Sequence, residues 1–173
     1  MAYRTIMIFP DFKNMDVIDA IRLKYDPLAK LVRPHITIVF PFDLALSNDE
    51  IALILDKHIG DMSAFEVKFK GFSKYVNQFG NSLLLDMVEG QEPIIKLHDA
   101  LYRNEFNSLD LGIPYEPHIT VGNPATVEEL EKAYEDVKDI DCCFTSLITK
   151  ISVEIIGEHD ESIIIIEKHL RSL

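Results

Sequence analysis

Alternation of apolar and polar residues predicts a series of β-strands along the chain. In the segment 64–76, for example, Phe65 and Val67 are separated by Glu66, and the alternation continues as far as Lys70. Successive side chains on a strand point to opposite faces, so this pattern is typical of a strand with one buried and one solvated face. The other predicted strands span residues 3–9, 36–40, 82–88, 119–121, 143–156 and 162–168.

Apolar residues at helical spacing predict helices between these strands. The patterns indicate helices near 15–25 and 92–106, and two more that begin after Ser47 and Thr126. Three residues after each of these two positions stands a glutamate, Glu50 or Glu129. This is the sequence pattern of a capping box, which satisfies backbone N–H groups at the start of a helix.

One four-residue sequence, Pro-His-Ile-Thr, occurs twice in the chain, at 34–37 and at 117–120. Each copy opens a predicted strand and is followed by a proline-containing loop, a capped helix, a long strand, a polar turn and a return strand. A strand and a helix also precede each copy. The chain therefore reads as two similar halves offset by about 80 residues, and we predict one bilobal domain over residues 1–173.

The repeated tetrapeptide supplies the candidate catalytic residues. Because side chains two residues apart share a strand face, His35 and Thr37 point the same way, as do His118 and Thr120. Two imidazoles that titrate near neutral pH suit general acid–base catalysis, in which one accepts a proton from the nucleophile and the other donates one to the leaving group. The two threonine hydroxyls can donate hydrogen bonds to phosphate oxygens. This chemistry predicts no metal and no cofactor.

Other residues near the motifs carry weaker signals. Arg33 has the parity of His35, which makes it a candidate for substrate binding, although a solvent-exposed position is the stronger expectation. Glu116 has the parity of His118, and it either orients that imidazole or lies at the rim of the site. Gly122 lies on the same face, and its missing side chain predicts room for a ligand.

Four further polar residues are assigned no chemical role. Lys68 and Lys70 alternate with apolar residues in a predicted strand, which favours a solvated face over a phosphate-binding cleft. His98 is expected on the surface of its helix, and His58 has no partner pattern.

Composition limits the classes of partner. The chain has 17 Lys and Arg against 29 Asp and Glu, with a net charge of −12 and a pI near 4.8. A broad basic surface for long duplex nucleic acid is therefore not expected. No segment matches a signal peptide or a membrane span, and the adjacent Cys142 and Cys143 match neither a disulfide framework nor a CxxC motif. We expect a cytoplasmic monomer that does not bind membranes.

Common catalytic sequence patterns of other classes are missing from the chain. The sequence has no GxSxG nucleophile elbow, no phosphate-binding P-loop and no GxGxxG dinucleotide fingerprint. Zinc is disfavoured because each Pro-His-Ile-Thr copy supplies one histidine and no third ligand is convincingly placed.

The two motifs resemble the signature of the 2H phosphoesterases, a family that includes 2′-5′ RNA ligases and cyclic phosphodiesterases. That signature is a pair of H-x-[ST]-x motifs, which here read His-Ile-Thr-Ile at 35–38 and His-Ile-Thr-Val at 118–121. The resemblance covers essentially the whole chain and is strongest to a little-characterised bacterial branch. It implies a bilobal α+β fold with two pseudo-symmetric antiparallel sheets, helices on the outside and a central cleft.

The resemblance also implies metal-independent cleavage of a 2′,3′-cyclic phosphate or a 2′-5′ linkage, with a 2′-phosphate as the product of the first reaction. Family analogy makes His118 the base that activates water and His35 the acid that protonates the 3′-oxygen. The sequence leaves this direction open, because its two halves are nearly equivalent.

Three functions remain as alternatives at this point. The leading hypothesis is a hydrolase of cyclic nucleotides or of cyclic phosphate ends of RNA. The second is a domain that binds a nucleotide or RNA end without turnover. The third is a 2′-5′ RNA ligase, which needs room and positive charge for a second RNA strand.

Overall fold

The computed structural model describes residues 3–173, which form eight strands, four α-helices and a short 3₁₀ helix. In chain order the elements are β1 (Arg4–Ile8), α1 (Met15–Tyr25), β2 (Ile36–Phe42), α2 (Asn48–Ile59), β3 (Phe65–Asn77), β4 (Gly80–Glu89), α3 (Gln91–Arg103), the 3₁₀ helix (Asn107–Leu109), β5 (His118–Gly122), α4 (Val127–Val137), β6 (Cys143–Ile148), β7 (Lys150–Ile156) and β8 (Ser162–His169).

The strands form two antiparallel sheets of four strands each. The first has the order β2-β1-β7-β8 and the second has the order β5-β4-β3-β6. Helices α2 and α3 pack against strands of the first sheet, and α1 and α4 pack against strands of the second. The predicted fold class, a bilobal α+β fold with two antiparallel sheets and outer helices, is confirmed.

Both predicted capping boxes are present. The Ser47 hydroxyl accepts a hydrogen bond from the Glu50 backbone N–H (3.2 Å), and the Glu50 carboxylate accepts one from the Ser47 N–H (2.7 Å). Thr126 and Glu129 make the same pair of bonds at the start of α4. Each box satisfies N–H groups that have no partner inside the helix, and it therefore fixes where the chain leaves the motif strand and begins to coil.

The predicted strand over 143–156 is wrong in one respect, because it is divided between the two sheets. Its first part, β6, pairs with β3 in the second sheet, and its second part, β7, lies between β1 and β8 in the first. The break falls at Thr149, whose carbonyl accepts a hydrogen bond from the Leu170 N–H (2.8 Å). Alternation reports burial alone, so it cannot reveal that the chain changes sheets.

Each sheet takes strands from both halves of the sequence. The first sheet combines β1 and β2 with β7 and β8, and the second combines β3 and β4 with β5 and β6. The sequence halves therefore do not coincide with the sheets. In both sheets the strand that carries the Pro-His-Ile-Thr sequence lies at the edge, so Pro41 is accommodated inside β2 rather than in the predicted loop.

Candidate active site

The two motif strands, β2 and β5, are the edge strands of their sheets and lie against one another where the two sheets meet. The isoleucines of both motifs, Ile36 and Ile119, are fully buried in the core. The four candidate catalytic side chains alternate with such core residues and are all half-buried: His35, Thr37, His118 and Thr120. Each motif strand thus packs against the core through its apolar face, and one imidazole and one hydroxyl per motif remain partly exposed.

The two imidazoles are oriented by the same local bond. Nδ1 of His35 lies 2.8 Å from the carbonyl oxygen of Arg33, and Nδ1 of His118 lies 2.8 Å from that of Glu116. A carbonyl can only accept, so each Nδ1 carries the hydrogen, and in the neutral ring Nε2 is then the atom that can take a proton. Both rings therefore present Nε2 for acid–base work.

Contacts across the junction bring the two motifs together. The hydroxyl of Tyr115, three residues before His118, donates to the backbone carbonyl of Thr37 (2.8 Å). Burial lowers the pKa of His35, and the charges of Arg22 and His118 lower it further, against raising effects of its bond to Arg33 and of Asp26. The charge of His118 thus reaches His35 across the junction.

Two charged groups near His35, those of Arg22 and Asp26, form an ion pair with each other. Arg22 Nε donates to the Asp26 carboxylate (2.9 Å), and both side chains are almost fully buried at the end of α1. Because the guanidinium and the carboxylate neutralise one another, neither leaves an unbalanced charge beside the imidazole.

Asp86 is a polar neighbour of His118 that the sequence reasoning missed. It lies directly opposite His118 in the β4–β5 ladder, so the two side chains share a face of the sheet. Burial holds the pKa of the Asp86 carboxyl above its usual range; the charge of Glu116 also raises it, against smaller lowering effects of the hydrogen bond from the Ser73 hydroxyl (2.6 Å) and of the charge of His118. Finding this residue requires the register between β4 and β5, which periodicity does not contain.

A cavity of about 450 Å³ opens beside His118. The polar side chains of its wall are those of Ser73, Lys74, Tyr75, Asp86, Gln91, Glu116 and His118. Lys74 is held by the Glu131 carboxylate (2.7 Å), so the carboxylates of Asp86 and Glu116 dominate the charge of the cavity.

The weaker candidates from the sequence are not all placed as expected. Glu116 is exposed, and its backbone carbonyl rather than its carboxylate orients His118. Gly122 does not leave room for a ligand, which corrects that expectation. A Cβ there would lie 2.9 Å from Cβ of Tyr25 and 3.3 Å from Cβ of Leu83, so the glycine is needed for the end of α1 to pack on β5.

Arg33 is exposed, and its guanidinium lies 4.4 Å from the ring centroid of Phe9. The Phe9 ring in turn meets the His35 imidazole edge-on, with 6.1 Å between ring centroids. The Arg33 side chain therefore lies at the rim of the site, where it contacts the Phe9 ring rather than the imidazole. Lys68 and Lys70 pair with surface carboxylates of Glu89 and Asp141, in agreement with a solvated face.

The expectation that His98 lies on the helix surface is wrong. Its side chain is 12% exposed, and its ring stacks on Tyr115 (centroids 3.7 Å apart) and on Tyr102 (4.4 Å). The i, i+4 spacing of His98 and Tyr102 on α3 is the signal that indicates such a stack. His58, which had no expected partner, bonds the Glu105 carboxylate through Nε2 (2.7 Å) and is also largely buried.

Residues 3–173 lack two further features. No three His, Cys, Asp or Glu side chains are grouped so that they could hold a metal ion. None of the helices in this range is long and apolar enough to cross a membrane.

Comparison with known proteins relates the chain to one family. The family model of the 2′-5′ RNA ligase superfamily matches residues 9–153. A protein from Bacillus pumilus, named as a candidate phosphoesterase, is 29% identical over 128 residues, which are 72% of this chain and 71% of the relative. A second candidate phosphoesterase, from Geobacillus kaustophilus, is 25% identical over 146 residues, which are 84% of this chain and 83% of the relative.

Two solved structures have the same fold. The crystal structure of E. coli LigT in complex with 3′-AMP is similar with a TM-score of 0.67 at 15% identity, and 98% of each chain is covered. A crystal structure described as a phosphoesterase is similar with a TM-score of 0.66 at 13% identity, covering 99% of each chain.

Proposed function

The chain belongs to the 2′-5′ RNA ligase superfamily, and from this premise we propose that it opens 2′,3′-cyclic phosphates of nucleotides or RNA ends by metal-independent hydrolysis. The observation that carries the proposal is the pair of imidazoles on adjoining edge strands, each with Nδ1 bonded to a carbonyl and Nε2 presented. Phosphoesterase-type function agrees with the family and with the names of the relatives.

The reaction needs one proton removed and one proton supplied. One histidine Nε2 takes a proton from water as the water oxygen attacks phosphorus, and the other donates a proton to the departing 3′-oxygen. The attacking and leaving oxygens lie in line on opposite sides of phosphorus, which suits one base and one acid that come from two different sheets. The product keeps the phosphate on the 2′-oxygen.

Thr37 and Thr120 stabilise the phosphate in this proposal. Their hydroxyls donate to the non-bridging oxygens, where negative charge is concentrated in the transition state. Arg33 contributes at most long-range attraction, because it is exposed and lies beyond Phe9. The imidazoles and hydroxyls supply the acid, the base and the phosphate donors, so the reaction as proposed uses no cofactor.

The substrate is small in this proposal. E. coli LigT has been crystallised in complex with 3′-AMP, with ATP and with NADP⁺. These complexes support a nucleotide-sized ligand for this chain. The net charge of −12 opposes long nucleic acid. We extend the proposal to a cytoplasmic monomer in which residues 1–173 act as one bilobal domain.

The two alternatives are less well supported. A binding domain without turnover would not need both imidazoles held in the same way beside each other. A ligase must bind a second polyanionic strand, and the cavity next to His118 is dominated by the carboxylates of Asp86 and Glu116, which repel phosphates.

The test is incubation of the purified protein with the four 2′,3′-cyclic nucleotides and with oligonucleotides that end in a cyclic phosphate, followed by ³¹P NMR of the products. The proposal predicts conversion to 2′-monophosphates. Binding of these ligands without any conversion would support the binding domain and overturn the hydrolase.

A further inference from the structure

A second cavity, of about 370 Å³, lies beside the segment that leads into β2. Its wall is formed by the second half of α1 and by residues 29–34, and its volume falls in the range of small-ligand sites. The charged residues that line it are Asp19, Arg22, Lys30 and Arg33. None of them touches the reacting phosphate in the hydrolysis proposed above.

Two of these charged residues, Lys30 and Arg33, have no carboxylate partner. Most lysines and arginines of residues 3–173 form an ion pair with Asp or Glu; within this range the exceptions are Arg4, Lys13, Lys30 and Arg33. Arg4 donates instead to two backbone carbonyls in the segment 44–46. In a chain of net charge −12, two of the other three unpaired cations therefore line one cavity.

Arg22 adds a buried guanidinium to the same wall. Its side chain is 2% exposed, with Nε donating to the Asp26 carboxylate (2.9 Å) and Nη2 to the Leu28 carbonyl (3.4 Å). Within residues 3–173 its Nη1 makes no hydrogen bond. Because Asp26 neutralises the charge, Arg22 offers a ligand in the cavity N–H donors rather than net charge.

The wall of the cavity is held in place by hydrogen bonds of its own. Oδ1 of Asp26 accepts from the Leu28 N–H (2.9 Å). The Leu31 carbonyl accepts from the N–H of Ser162 at the start of β8 (2.9 Å), and the Val32 side chain is buried. A wall that is formed before binding avoids the entropy cost of ordering a loop around the ligand.

Arg33 connects the cavity to the catalytic residues. Its backbone carbonyl orients Nδ1 of His35, and its guanidinium lies over the Phe9 ring that meets the imidazole. Since Arg33 and His35 are two residues apart, their Cα atoms are separated by at most about 7 Å. A ligand of nucleotide size can therefore reach from the imidazole into the cavity.

We propose that this cavity is a subsite for a second phosphate of the substrate, the 5′-phosphate of the nucleotide whose 2′,3′-cyclic phosphate is opened. Lys30 and Arg33 supply the positive charge, and Nη1 of Arg22 supplies a hydrogen-bond donor. In an RNA end the same subsite receives the phosphodiester on the 5′ side. The proposal rests on the hydrolase function above and adds a preferred class of substrate to it.

Two carboxylates near the cavity oppose an anion, but they do not outweigh the cations. Asp19 lines the cavity and is exposed, so against Lys30 and Arg33 the balance remains positive. The charge of Arg33 also reaches Glu167, a carboxylate that Lys150 already binds (2.6 Å). Carboxylates dominate the other cavity, of about 450 Å³. Of the two cavities, the one beside residues 29–34 is therefore the one that suits a phosphate.

The first test measures binding without turnover. Isothermal titration calorimetry compares 2′-AMP with adenosine 2′,5′-bisphosphate, which differs by one phosphate at the 5′ position. We expect the wild type to bind the bisphosphate about tenfold more tightly, because two exposed cations and one buried donor meet the added group. In the double variant Lys30→Gln/Arg33→Gln, which keeps side chains of similar size without the charges, the two ligands should bind within about twofold of each other.

Two single variants are the controls for this measurement. Lys13→Gln removes an unpaired lysine that lines neither cavity, so the preference for the bisphosphate should stay at about tenfold. Asp19→Asn removes the carboxylate that opposes the added phosphate, and the preference should rise by about two- to threefold. Loss of the preference in Lys13→Gln to the same degree as in the double variant would indicate a general effect of charge and overturn the subsite.

The second test measures the same preference in catalysis. It compares kcat/KM for adenosine 2′,3′-cyclic phosphate with kcat/KM for the same compound carrying a 5′-phosphate. We expect a ratio of about ten in favour of the 5′-phosphorylated substrate in the wild type, falling towards one in the double variant. Any effect of the substitutions on the reacting centre is common to both substrates and cancels in this ratio.

A titration with inorganic phosphate distinguishes a phosphate of the substrate from a free anion. It is followed in ¹H–¹⁵N spectra of the labelled protein, wild type and double variant. Shifts of residues 29–34 in the wild type alone, without any preference for the 5′-phosphorylated ligands, would show a site for a separate anion and overturn the assignment to the substrate.

The remaining outcomes separate the subsite from the hydrolase function. Tighter binding of the bisphosphate without turnover of either cyclic substrate would overturn the hydrolase and support the subsite. Turnover of both cyclic substrates with equal kcat/KM, together with equal affinity for 2′-AMP and the bisphosphate, would overturn the subsite and support the hydrolase. A preference that the double variant retains would place the second phosphate elsewhere and also overturn the subsite.

Discussion

Removal of one hydroxyl group, by Tyr115→Phe, tests whether the second motif helps to position the first. The Tyr115 hydroxyl donates to the Thr37 carbonyl over 2.8 Å, and this bond ties the segment before β5 to the motif of β2. The phenylalanine ring can keep its stack on His98, which has 3.7 Å between centroids. The substitution therefore removes the hydrogen bond and little else.

The expected magnitude follows from the size of one neutral hydrogen bond. Such a bond contributes about 0.5–1.5 kcal/mol net, so we expect the free energy of unfolding to fall by about 1 kcal/mol. For a chain of this length the melting temperature should fall by about 2–4 °C. If the same free energy holds Thr37 in place for the transition state, kcat should fall about five- to tenfold, since 1.4 kcal/mol corresponds to a factor of about ten.

The measurement combines urea unfolding, followed by circular dichroism, with steady-state kinetics on a 2′,3′-cyclic nucleotide. Tyr102→Phe is a matched control, because the Tyr102 hydroxyl accepts from the Phe40 N–H of the same strand (3.3 Å) at a point beyond the motif. It should lose similar stability while kcat stays within about twofold of wild type. A normal kcat in Tyr115→Phe, or an equal loss in both variants, would refute the positioning role.

Three further predictions concern metal, salt and pH. Turnover should survive EDTA, because imidazoles and hydroxyls do the work of a cation; loss of activity on chelation, restored by zinc or manganese, would contradict this. Measured against salt concentration, log(kcat/KM) should have a shallow slope equivalent to about one or two phosphate contacts; a steep slope together with a large gain on longer RNA would reveal a basic track. Burial raises the pKa of Glu105, but hydrogen bonds from Lys57 and His58 outweigh it and hold that pKa at about 2. Its carboxylate therefore stabilises the fold above its unfolded-state pKa and stops doing so as pH falls towards 2. Glu105→Gln should lower the free energy of unfolding, measured with urea, by about 1–2 kcal/mol at pH 7 and by progressively less as the pH falls. A loss that is the same at pH 7 and in acid would contradict this.

Local features of the fold could be predicted from the sequence because they depend on neighbours along the chain. The predicted helix 15–25 has the observed bounds of α1, and both capping boxes begin their helices at the expected residues. The burial of Ile36 and Ile119 also follows from alternation within the motif. In each case the deciding contacts lie within a few residues of one another.

Features that depend on strand partners could not be predicted in this way. The passage from β6 to β7 at Thr149 exchanges one sheet for the other without changing the alternation. The position of Asp86 opposite His118 depends on the register of two strands, and the tight fit of Gly122 depends on where α1 ends against β5. These contacts join residues far apart in the chain, so the local pattern of the sequence does not contain them.

In the proposed mechanism one histidine from each motif performs the chemistry. The most direct measurement is kcat for opening of a 2′,3′-cyclic nucleotide by His35→Ala and by His118→Ala, with circular dichroism and urea unfolding as controls for the fold. We expect each variant to stay folded and to lose about 10²–10⁴-fold in kcat. Full activity in either folded variant would contradict it.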